Sequence, residues 1–179
     1  MEPKTISTET IYNGKVFDIR VDEVREGDFE YKRDVVAHKG SAVVIPVFDD
    51  GTVTLVRQYR HAAGEFLLEL CAGTLEKGES PEACAARELE EEIGLRAERL
   101  EKISEFYVSP GFLTEKMHVY MATGLSETQQ NPEDDEILTI ERHPLAALMK
   151  MVENGEIKDA KTIVGLMLVE RRGSSFLRS

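Results

Sequence analysis

A glycine-bearing loop followed by a short, strongly acidic segment is the feature that most constrains the fold of this chain. Residues 73–95 read GTLEKGESPEACAARELEEEIGL. Ser80 and Pro81 predict a helix start, because a serine oxygen can accept from free backbone N–H groups and proline suits the first helical position. Gly94 predicts the helix end, because glycine readily adopts the left-handed backbone that closes many helices. The sequence therefore predicts a helix over about residues 81–93.

The spacing of side chains within this helix separates an apolar stripe from an acidic flank. The predicted buried stripe contains Ala86, Leu89 and Ile93. Three carboxylates, three and four residues apart, converge on another flank: Glu88, Glu91 and Glu92. Such carboxylates repel one another unless a cation lies between them, and their hard oxygen atoms suit Mg²⁺ or Mn²⁺. The alternative is a solvated acidic face, which is the common explanation of a charge run.

Composition argues against several classes of protein. The net charge of −12 and the pI of about 4.9 disfavour general binding to DNA or RNA, whose phosphates would be repelled. No apolar run approaches the length that a membrane span needs, and the N-terminus lacks the apolar core of a secretory signal. Cys71 and Cys84 fit neither a disulfide framework nor a paired-cysteine zinc spacing. We therefore expect a cytoplasmic protein with two reduced thiols.

The rest of the 179-residue chain predicts one domain preceded by a small module. Alternating residues with turn signals over about residues 5–38 predict a small antiparallel N-terminal β-sheet. Residues 41–48 and 52–60 flank the sequence DDG, which predicts a hairpin. Further strands are predicted around residues 101–109, 116–125 and 137–143, and helices around 144–155 and 159–172. Strands and helices do not alternate regularly, so the fold class is α+β.

Residues 73–95 resemble the Nudix box, G-x5-E-x7-R-E-U-x-E-E-x-G-U, in which U is an aliphatic residue. The box matches at Gly73, Glu79, Arg87, Glu88, Leu89, Glu91, Glu92, Gly94 and Leu95. The resemblance implies a Nudix fold, with a mixed β-sheet sandwiched between α-helices. It divides the chain into an N-terminal strand module over residues 1–39 and a Nudix hydrolase domain over residues 40–179.

The resemblance also implies a reaction, the hydrolysis of a nucleoside diphosphate linked to another group, with divalent cations bound to the acidic flank. It assigns Glu88 and Glu92 as direct metal ligands and Glu91 as a shared or water-mediated ligand. The Ala72 carbonyl, just before the box glycine, would supply one more oxygen. Arg87 is included in the catalytic set, where its pairing with Glu79 would hold the loop against the helix.

Other residues resemble the ADP-ribose pyrophosphatase subfamily. Arg60, at the end of VRQYR, and Arg33, in YKRDVV, match arginines that contact the substrate. Gly111 follows Pro110 in SPGF, a segment that could equally be an ordinary turn, and Glu115 is a further candidate for positioning substrate or water. Cys71 departs from the subfamily, in which proline is frequent, and is interpreted as a small buried filler.

In this subfamily the catalytic base lies on an acidic loop, which corresponds here to residues 126–136. Glu133 aligns best, and three neighbours remain alternatives: Asp134, Asp135 and Glu136. A simple acidic loop without a catalytic role is the competing interpretation. The N-terminal strands resemble a module through which such enzymes form homodimers and complete the partner's adenine pocket. Phe17, Phe29 or Tyr31 could stack on adenine, although for each of them a packing role is the more common explanation.

The sequence therefore predicts a Mg²⁺- or Mn²⁺-dependent ADP-ribose pyrophosphatase that releases AMP and ribose 5-phosphate. Its partner would be a small nucleotide sugar, and we expect the protein to bind neither nucleic acid nor a membrane. One alternative is the same chemistry on another nucleotide sugar, such as GDP-mannose, or on an oxidised nucleotide. A non-catalytic nucleotide sensor is the other alternative, although the chain retains every glutamate of the box. The four histidines share no metal-binding spacing and are interpreted as structural or surface residues.

Overall fold

The computed structural model describes residues 2–131 and 137–173. The chain divides into two units, one formed by residues 1–40 and 106–117, and the other by residues 41–105 and 118–179. The candidate metal ligands of the acidic segment all belong to the second unit. Within the described residues, every helix is too short or too polar to span a bilayer.

The first unit contains the predicted N-terminal antiparallel sheet. Its strands, in the order β1-β2-β3, are β1 (Lys4–Asn13), β2 (Asp18–Glu26) and β3 (Phe29–Ala37). A later segment joins β3: the Val36 N–H donates to the Phe112 carbonyl at 2.7 Å, and the Thr114 N–H donates to the Val36 carbonyl at 3.0 Å. The sequence pattern contained no sign of this long-range pairing, because nothing local to residues 106–117 specifies β3 as a neighbour.

The second unit contains two sheets and three helices among its described residues. The strands are β4 (Ser41–Pro46), β5 (Thr52–Arg60), β6 (Glu65–Glu69), β7 (Cys71–Thr74), β8 (Leu95–Tyr107), β9 (Lys116–Glu127) and β10 (Leu138–Pro144). β8 and β9 extend from this unit into residues 106–117. One sheet has the order β7-β4-β9-β8 and the other the order β10-β5-β6. The helices are α1 (Pro81–Ile93), α2 (Leu145–Glu153) and α3 (Ala160–Arg172).

The predicted hairpin between β4 and β5 is only partly correct. The turn is present, because the Phe48 N–H donates to the Thr52 carbonyl and the Gly51 N–H donates to the Phe48 carbonyl, both at 2.9 Å. Beyond an isolated bridge between Val47 and Val53, however, β4 and β5 belong to different sheets. β4 pairs instead with β7, whereas β5 pairs with β6 and β10.

Strand β4 is buried on both faces, which explains its continuous apolar sequence. On one face, Ala42 and Val44 pack in the same core cluster as residues of α1. On the other face, Ile45 lies against Gly165 of α3, where an added Cβ would come within 3.2 Å of Ile45 Cδ1. Successive side chains of a strand point to opposite faces, so α1 and α3 cover opposite faces of β4. The predicted α+β sandwich is confirmed.

Candidate active site

Helix α1 begins and ends at the residues that the sequence predicted. The Ser80 hydroxyl accepts from the Ala83 N–H at 3.1 Å, and Pro81 occupies the first helical turn. Gly94 ends the helix with φ of 71°, and its N–H donates to the Glu90 carbonyl at 2.9 Å. Both ends are therefore fixed by local interactions, which sets the positions of the acidic residues along the helix axis.

The buried face of α1 differs by one residue from the predicted stripe. Ala86 is exposed, whereas Ala85 lies in the core together with Leu89 and Ile93. This rotation carries two acidic residues inward: Glu88 is 7% exposed and Glu92 is 3% exposed. A solvated acidic face is therefore the wrong description of these two residues, because carboxylates are rarely buried without a compensating charge.

Arg87 supplies compensating charge on this flank. Its Nε donates to Glu79 Oε1 at 2.9 Å and its Nη2 donates to Glu79 Oε2 at 3.1 Å, so the predicted pairing of loop and helix is confirmed. Its Nη1 donates to Glu88 Oε1 at 2.7 Å and to Glu91 Oε2 at 3.0 Å. The hydrogen bond to Glu79 chiefly raises the pKa of Arg87, and the same bond lowers the pKa of Glu79.

Gly73 lets the loop backbone approach the Glu88 carboxylate closely. A Cβ at position 73 would lie 1.7 Å from Glu88 Oε1 and 2.0 Å from its carboxyl carbon. Ala72 and Gly73 lie in β7, paired with Val43 and Ala42 of β4, which fixes the backbone at this point. The glycine of the box is therefore required by contact with the acidic helix, since any side chain would displace the carboxylate.

Two buried thiols lie next to the acidic residues. Burial raises the pKa of the Cys71 thiol well above its ordinary value, and the neighbouring charge of Glu92 raises it further. Burial raises the pKa of Cys84 to about 12, and its Sγ lies 3.6 Å from the Gly73 carbonyl oxygen. Both cysteines are free, as predicted, and both are fully buried. At neutral pH they act as small neutral packing groups.

The acidic flank matches the donor chemistry of a hard divalent cation. Glu88 and Glu92 present carboxylate oxygens in a buried setting. The loop backbone at Gly73 lies directly beside the Glu88 carboxylate. Among residues 2–131 and 137–173, no group of three or more acidic, histidine or cysteine side chains is already arranged around a metal-sized space. Arg87 instead bridges Glu88 and Glu91. The donor set therefore fits a cation, with Arg87 holding two of the carboxylates in the present arrangement.

Arg60 lies in the same unit as the acidic helix. It forms a two-pronged contact with Glu69, in which its Nε and Nη2 each lie 2.8 Å from a carboxylate oxygen. The hydrogen bond that Arg60 donates to Glu69 chiefly raises the pKa of Arg60, and the charge of Glu92 adds to this effect. Arg60 is therefore within electrostatic reach of a candidate metal ligand, whereas Arg57, its neighbour on the strand, pairs with Glu141 at 2.5 Å.

The other predicted substrate-binding residues belong to the first unit. Arg33 is exposed on β3, with its guanidinium 4.2 Å from the centre of the Tyr31 ring. Gly111 is exposed, with no atom within 4 Å of an added Cβ. Glu115 lies 3.7 Å from the His38 ring. Their roles remain predictions.

The predicted catalytic base and its three alternatives, residues 133–136, lie outside the described residues. Of the predicted acidic loop, residues 126 and 127 instead complete β9. The Gln130 side chain donates to the Glu92 carbonyl at 2.5 Å, and the Asn131 N–H donates to the Glu91 carbonyl at 3.0 Å. The beginning of the loop is therefore attached to the end of α1, beside the candidate metal ligands.

Sequence reasoning missed a buried charge cluster next to Arg60. Glu69 is 1% exposed and Lys161 is 7% exposed, and the two form an ion pair. The available signal was Glu69 itself, an acidic residue within the apolar strand sequence EFLLEL, where a charge is costly unless paired. Its partner could not be identified from sequence, because Lys161 lies 92 residues further along the chain.

Comparison with known proteins gives consistent matches along the chain. The family described as "NUDIX domain" matches residues 38–164. An ADP-ribose pyrophosphatase of Bacillus subtilis (strain 168) is 40% identical, covering 95% of this chain and 94% of the relative. An ADP-ribose pyrophosphatase of Mycobacterium tuberculosis (strain ATCC 25618 / H37Rv) is 38% identical, covering 97% and 86%. A protein of Bacillus methanolicus named methanol dehydrogenase activator is 36% identical, covering 94% and 93%.

The fold also matches a solved structure, described as the crystal structure of an ADP compounds hydrolase. The TM-score is 0.84 at 23% sequence identity, and the match covers 98% of this chain and 97% of that one. At this identity the likeness concerns the fold. The family match and the relatives above 30% identity extend over most of the sequence, and so the chain belongs to the NUDIX domain family.

Proposed function

We propose that this protein is a divalent-metal-dependent hydrolase that cleaves the pyrophosphate of ADP-ribose to AMP and ribose 5-phosphate. The observation that carries the proposal is the pair of buried glutamates, Glu88 and Glu92, on a helix whose glycine loop approaches the first carboxylate. Two relatives named ADP-ribose pyrophosphatase, at 38–40% identity over nearly the whole chain, support the choice of substrate.

The acidic flank would hold the metal, with Mg²⁺ or Mn²⁺ favoured by the all-oxygen donor set. Glu88 and Glu92 would bind it directly, Glu91 would be a shared or water-mediated ligand, and the Ala72 carbonyl would add a backbone oxygen. The bound cation would neutralise diphosphate charge and lower the pKa of a coordinated water. Neutralisation matters here because the chain has a net charge of −12 and would otherwise repel an anionic substrate.

The protein's own residues would position the reacting groups. Arg87, fixed by its contact with Glu79, keeps the loop and helix together and balances part of the buried negative charge. Arg60 would direct its guanidinium at the phosphates. In hydrolysis a water oxygen bonds to phosphorus, the bridging P–O bond breaks, and a carboxylate accepts the water proton. Glu133 is our candidate for that base, with its three acidic neighbours as alternatives.

Recognition of the rest of the substrate is proposed for residues of the first unit. Arg33, Gly111 and Glu115 would contact substrate, and one of the aromatic residues named above would stack on adenine. A homodimer is proposed because β1 is an edge strand of its sheet among the described residues and is exposed along its whole length. Sedimentation velocity would test this, and a monomer would contradict it.

A cytoplasmic location is supported by the two free thiols and can be tested by cell fractionation.

The substrate proposal is tested by a panel of nucleotide sugars with chromatographic identification of products. With Mg²⁺ present, ADP-ribose should yield AMP and ribose 5-phosphate at a kcat/KM at least tenfold above that for GDP-mannose. Equal or reversed rates would favour hydrolysis of another nucleotide sugar, and a preference for an oxidised nucleotide would favour a cleansing role. Binding of ADP-ribose without any turnover would favour a nucleotide sensor.

A further inference from the structure

Arg60 belongs to a charge cluster that the proposed reaction does not explain. The cluster consists of Arg60, Glu69, Asp159 and Lys161. Glu69 is 1% exposed and accepts hydrogen bonds from both Arg60 and Lys161. Lys161 is 7% exposed and also lies 3.1 Å from Asp159. Two acidic and two basic groups are thus collected at one place between β5, β6 and the start of α3.

The charges of this cluster balance one another, but buried ion pairs contribute little net stability to a fold. Burying an ion pair removes both ions from water, and apolar residues of similar volume often stabilise a protein equally well. Burial by itself raises the pKa of Glu69, yet the Arg60 hydrogen bonds and the Lys161 charge outweigh it and lower that pKa overall. Glu69 is therefore held as an anion inside the protein, and an anion at this place needs a reason other than packing.

The geometry of Arg60 suggests that reason. Its Nε and Nη2 are both engaged by Glu69 at 2.8 Å. Among the hydrogen bonds of the described residues, none uses Nη1 of Arg60, and its side chain is 41% exposed. A guanidinium is planar, so fixing one edge in a two-pronged contact fixes the direction of the remaining N–H groups. Arg60 thus has one locked edge and one available edge.

Helix α3 fixes the other side of Glu69. Asp159 caps α3 by accepting from the Thr162 N–H at 3.0 Å, and the Thr162 hydroxyl donates to the same carboxylate at 2.6 Å. The Leu70 N–H donates to Thr162 Oγ1 at 2.8 Å in a buried contact. The start of α3 is therefore joined to Glu69, the last residue of β6, and to Leu70, which lies between β6 and β7. Ala72, the candidate metal ligand, follows two residues later.

We propose that Glu69 and Lys161 are positioning residues, which orient the Arg60 guanidinium toward the substrate diphosphate from a rigid support on α3. The proposal rests on the proposed function, in which Arg60 contacts the diphosphate. In this proposal Glu69 contacts Arg60 and does not itself touch the substrate. The benefit is pre-organisation: an arginine that is already oriented loses less conformational freedom when it binds an anion.

The central test is a double-mutant cycle on KM for ADP-ribose, using Glu69→Gln and Arg60→Lys. Glutamine keeps the size of Glu69 but can accept through only one oxygen, so KM should rise at least tenfold while kcat changes less than threefold. Arg60→Lys should raise KM by a similar factor, because lysine cannot make the two-pronged contact. In the Arg60→Lys background, Glu69→Gln should change KM less than twofold. Independent, multiplying effects would overturn the proposal, since a purely structural residue acts whether or not Arg60 is present.

The same strand provides a matched control. Glu65, also on β6, pairs with Lys158 at 2.8 Å, but both side chains are largely exposed, at 44% and 55%. Glu65→Gln should leave KM within twofold of the wild type. If Glu65→Gln raised KM as much as Glu69→Gln, then removing any negative charge from β6 would be enough to raise KM, and the proposal would fail.

Two further measurements keep the test decisive. If Glu69→Gln does not fold, as judged by circular dichroism, Lys161→Met takes its place. This variant keeps the Arg60–Glu69 contact but removes the Lys161 ion pair that holds Glu69. The KM for ADP-ribose should then rise about threefold. The cycle is also measured as the dissociation constant of inorganic pyrophosphate, by calorimetry with Mg²⁺. Loss of coupling there overturns the positioning role, whereas coupling without any ADP-ribose turnover overturns only the proposed reaction.

Discussion

At the scale of single residues, the acidic helix shows how burial changes the meaning of a charged sequence. Six glutamates occur between positions 79 and 92, and sequence spacing assigned three of them to one metal-binding flank. The structure buries two, Glu88 and Glu92, and leaves the Glu91 side chain 35% exposed. Burial of a carboxylate is costly, so the two buried residues are the ones for which a cation provides the strongest reason.

Glu92→Gln should lower kcat for ADP-ribose by at least a hundredfold while the protein stays folded. The amide keeps the size of the side chain but removes the negative oxygen that a divalent cation would bind. Circular dichroism and steady-state kinetics across a Mg²⁺ titration would measure both effects. Glu90→Gln is the matched control, since Glu90 pairs with Arg96 at 2.9 Å on the exposed side of the helix. Unchanged turnover in Glu92→Gln would remove this residue from the metal site.

Gly73→Ala should abolish most activity through displacement of a carboxylate. The added Cβ would lie 1.7 Å from Glu88 Oε1, so the side chain of Glu88 must move. We expect a rise of at least tenfold in the Mg²⁺ concentration required for half-maximal rate, with thermal denaturation as a check on folding. Gly155→Ala is the comparison, because that glycine has φ of 72° and no neighbour within 4 Å of an added Cβ. It should lose stability but keep its Mg²⁺ requirement.

At the scale of elements, local signals determined where α1 begins and ends but not which side it buries. The caps at Ser80 and Gly94 act through the adjacent backbone, so they can be recognised in sequence. The choice between Ala85 and Ala86 for the core depends on how the helix is rotated against β4 and β7. Alanine occurs at both positions, so the pattern could not decide.

Ser80→Ala should lower the free energy of unfolding by about 1 kcal/mol, since it removes the acceptor for the Ala83 N–H. Urea denaturation monitored by circular dichroism would measure the change. The folded variant should retain its kcat, because Glu88 and Glu92 lie further along the helix. Ser126→Ala, at an exposed serine on β9, is the control and should change stability by less than about 0.5 kcal/mol. A cap that cost nothing would mean that packing alone determines the start of α1.

At the scale of the whole molecule, five carboxylates of the described residues have pKa values below their ordinary range: Glu23, Asp50, Glu69, Glu79 and Glu141. The Arg87 hydrogen bond lowers that of Glu79, the Arg57 hydrogen bond lowers that of Glu141, and Arg60 with Lys161 lower that of Glu69 against its burial. A carboxyl group with a lower pKa in the folded state binds fewer protons there than when unfolded. Its stabilising contribution is therefore complete above the unfolded value of 4.5 and is lost as pH falls through the folded value.

The urea midpoint should accordingly stay level from pH 7 to about pH 5.5 and fall steadily below about pH 4.5. Denaturation curves at half-unit pH steps would measure it. In Glu79→Gln, the midpoint should be lower at pH 7 and the acid-induced fall shallower, because one of the titrating groups is gone. A wild-type midpoint that is constant down to pH 3 would mean that these ion pairs contribute nothing to folding.

The sequence by itself determined the family, the α+β class, the boundaries of α1 and the identity of the acidic residues. These follow from short-range physics: capping, backbone conformation and side-chain period act within a few residues of each other. The tertiary structure alone decided that Glu88 and Glu92 face inward, that β4 and β5 separate into two sheets, and that Lys161 pairs with Glu69. Each of these depends on groups far apart in the chain, whose meeting is fixed only when the sheets and helices pack together.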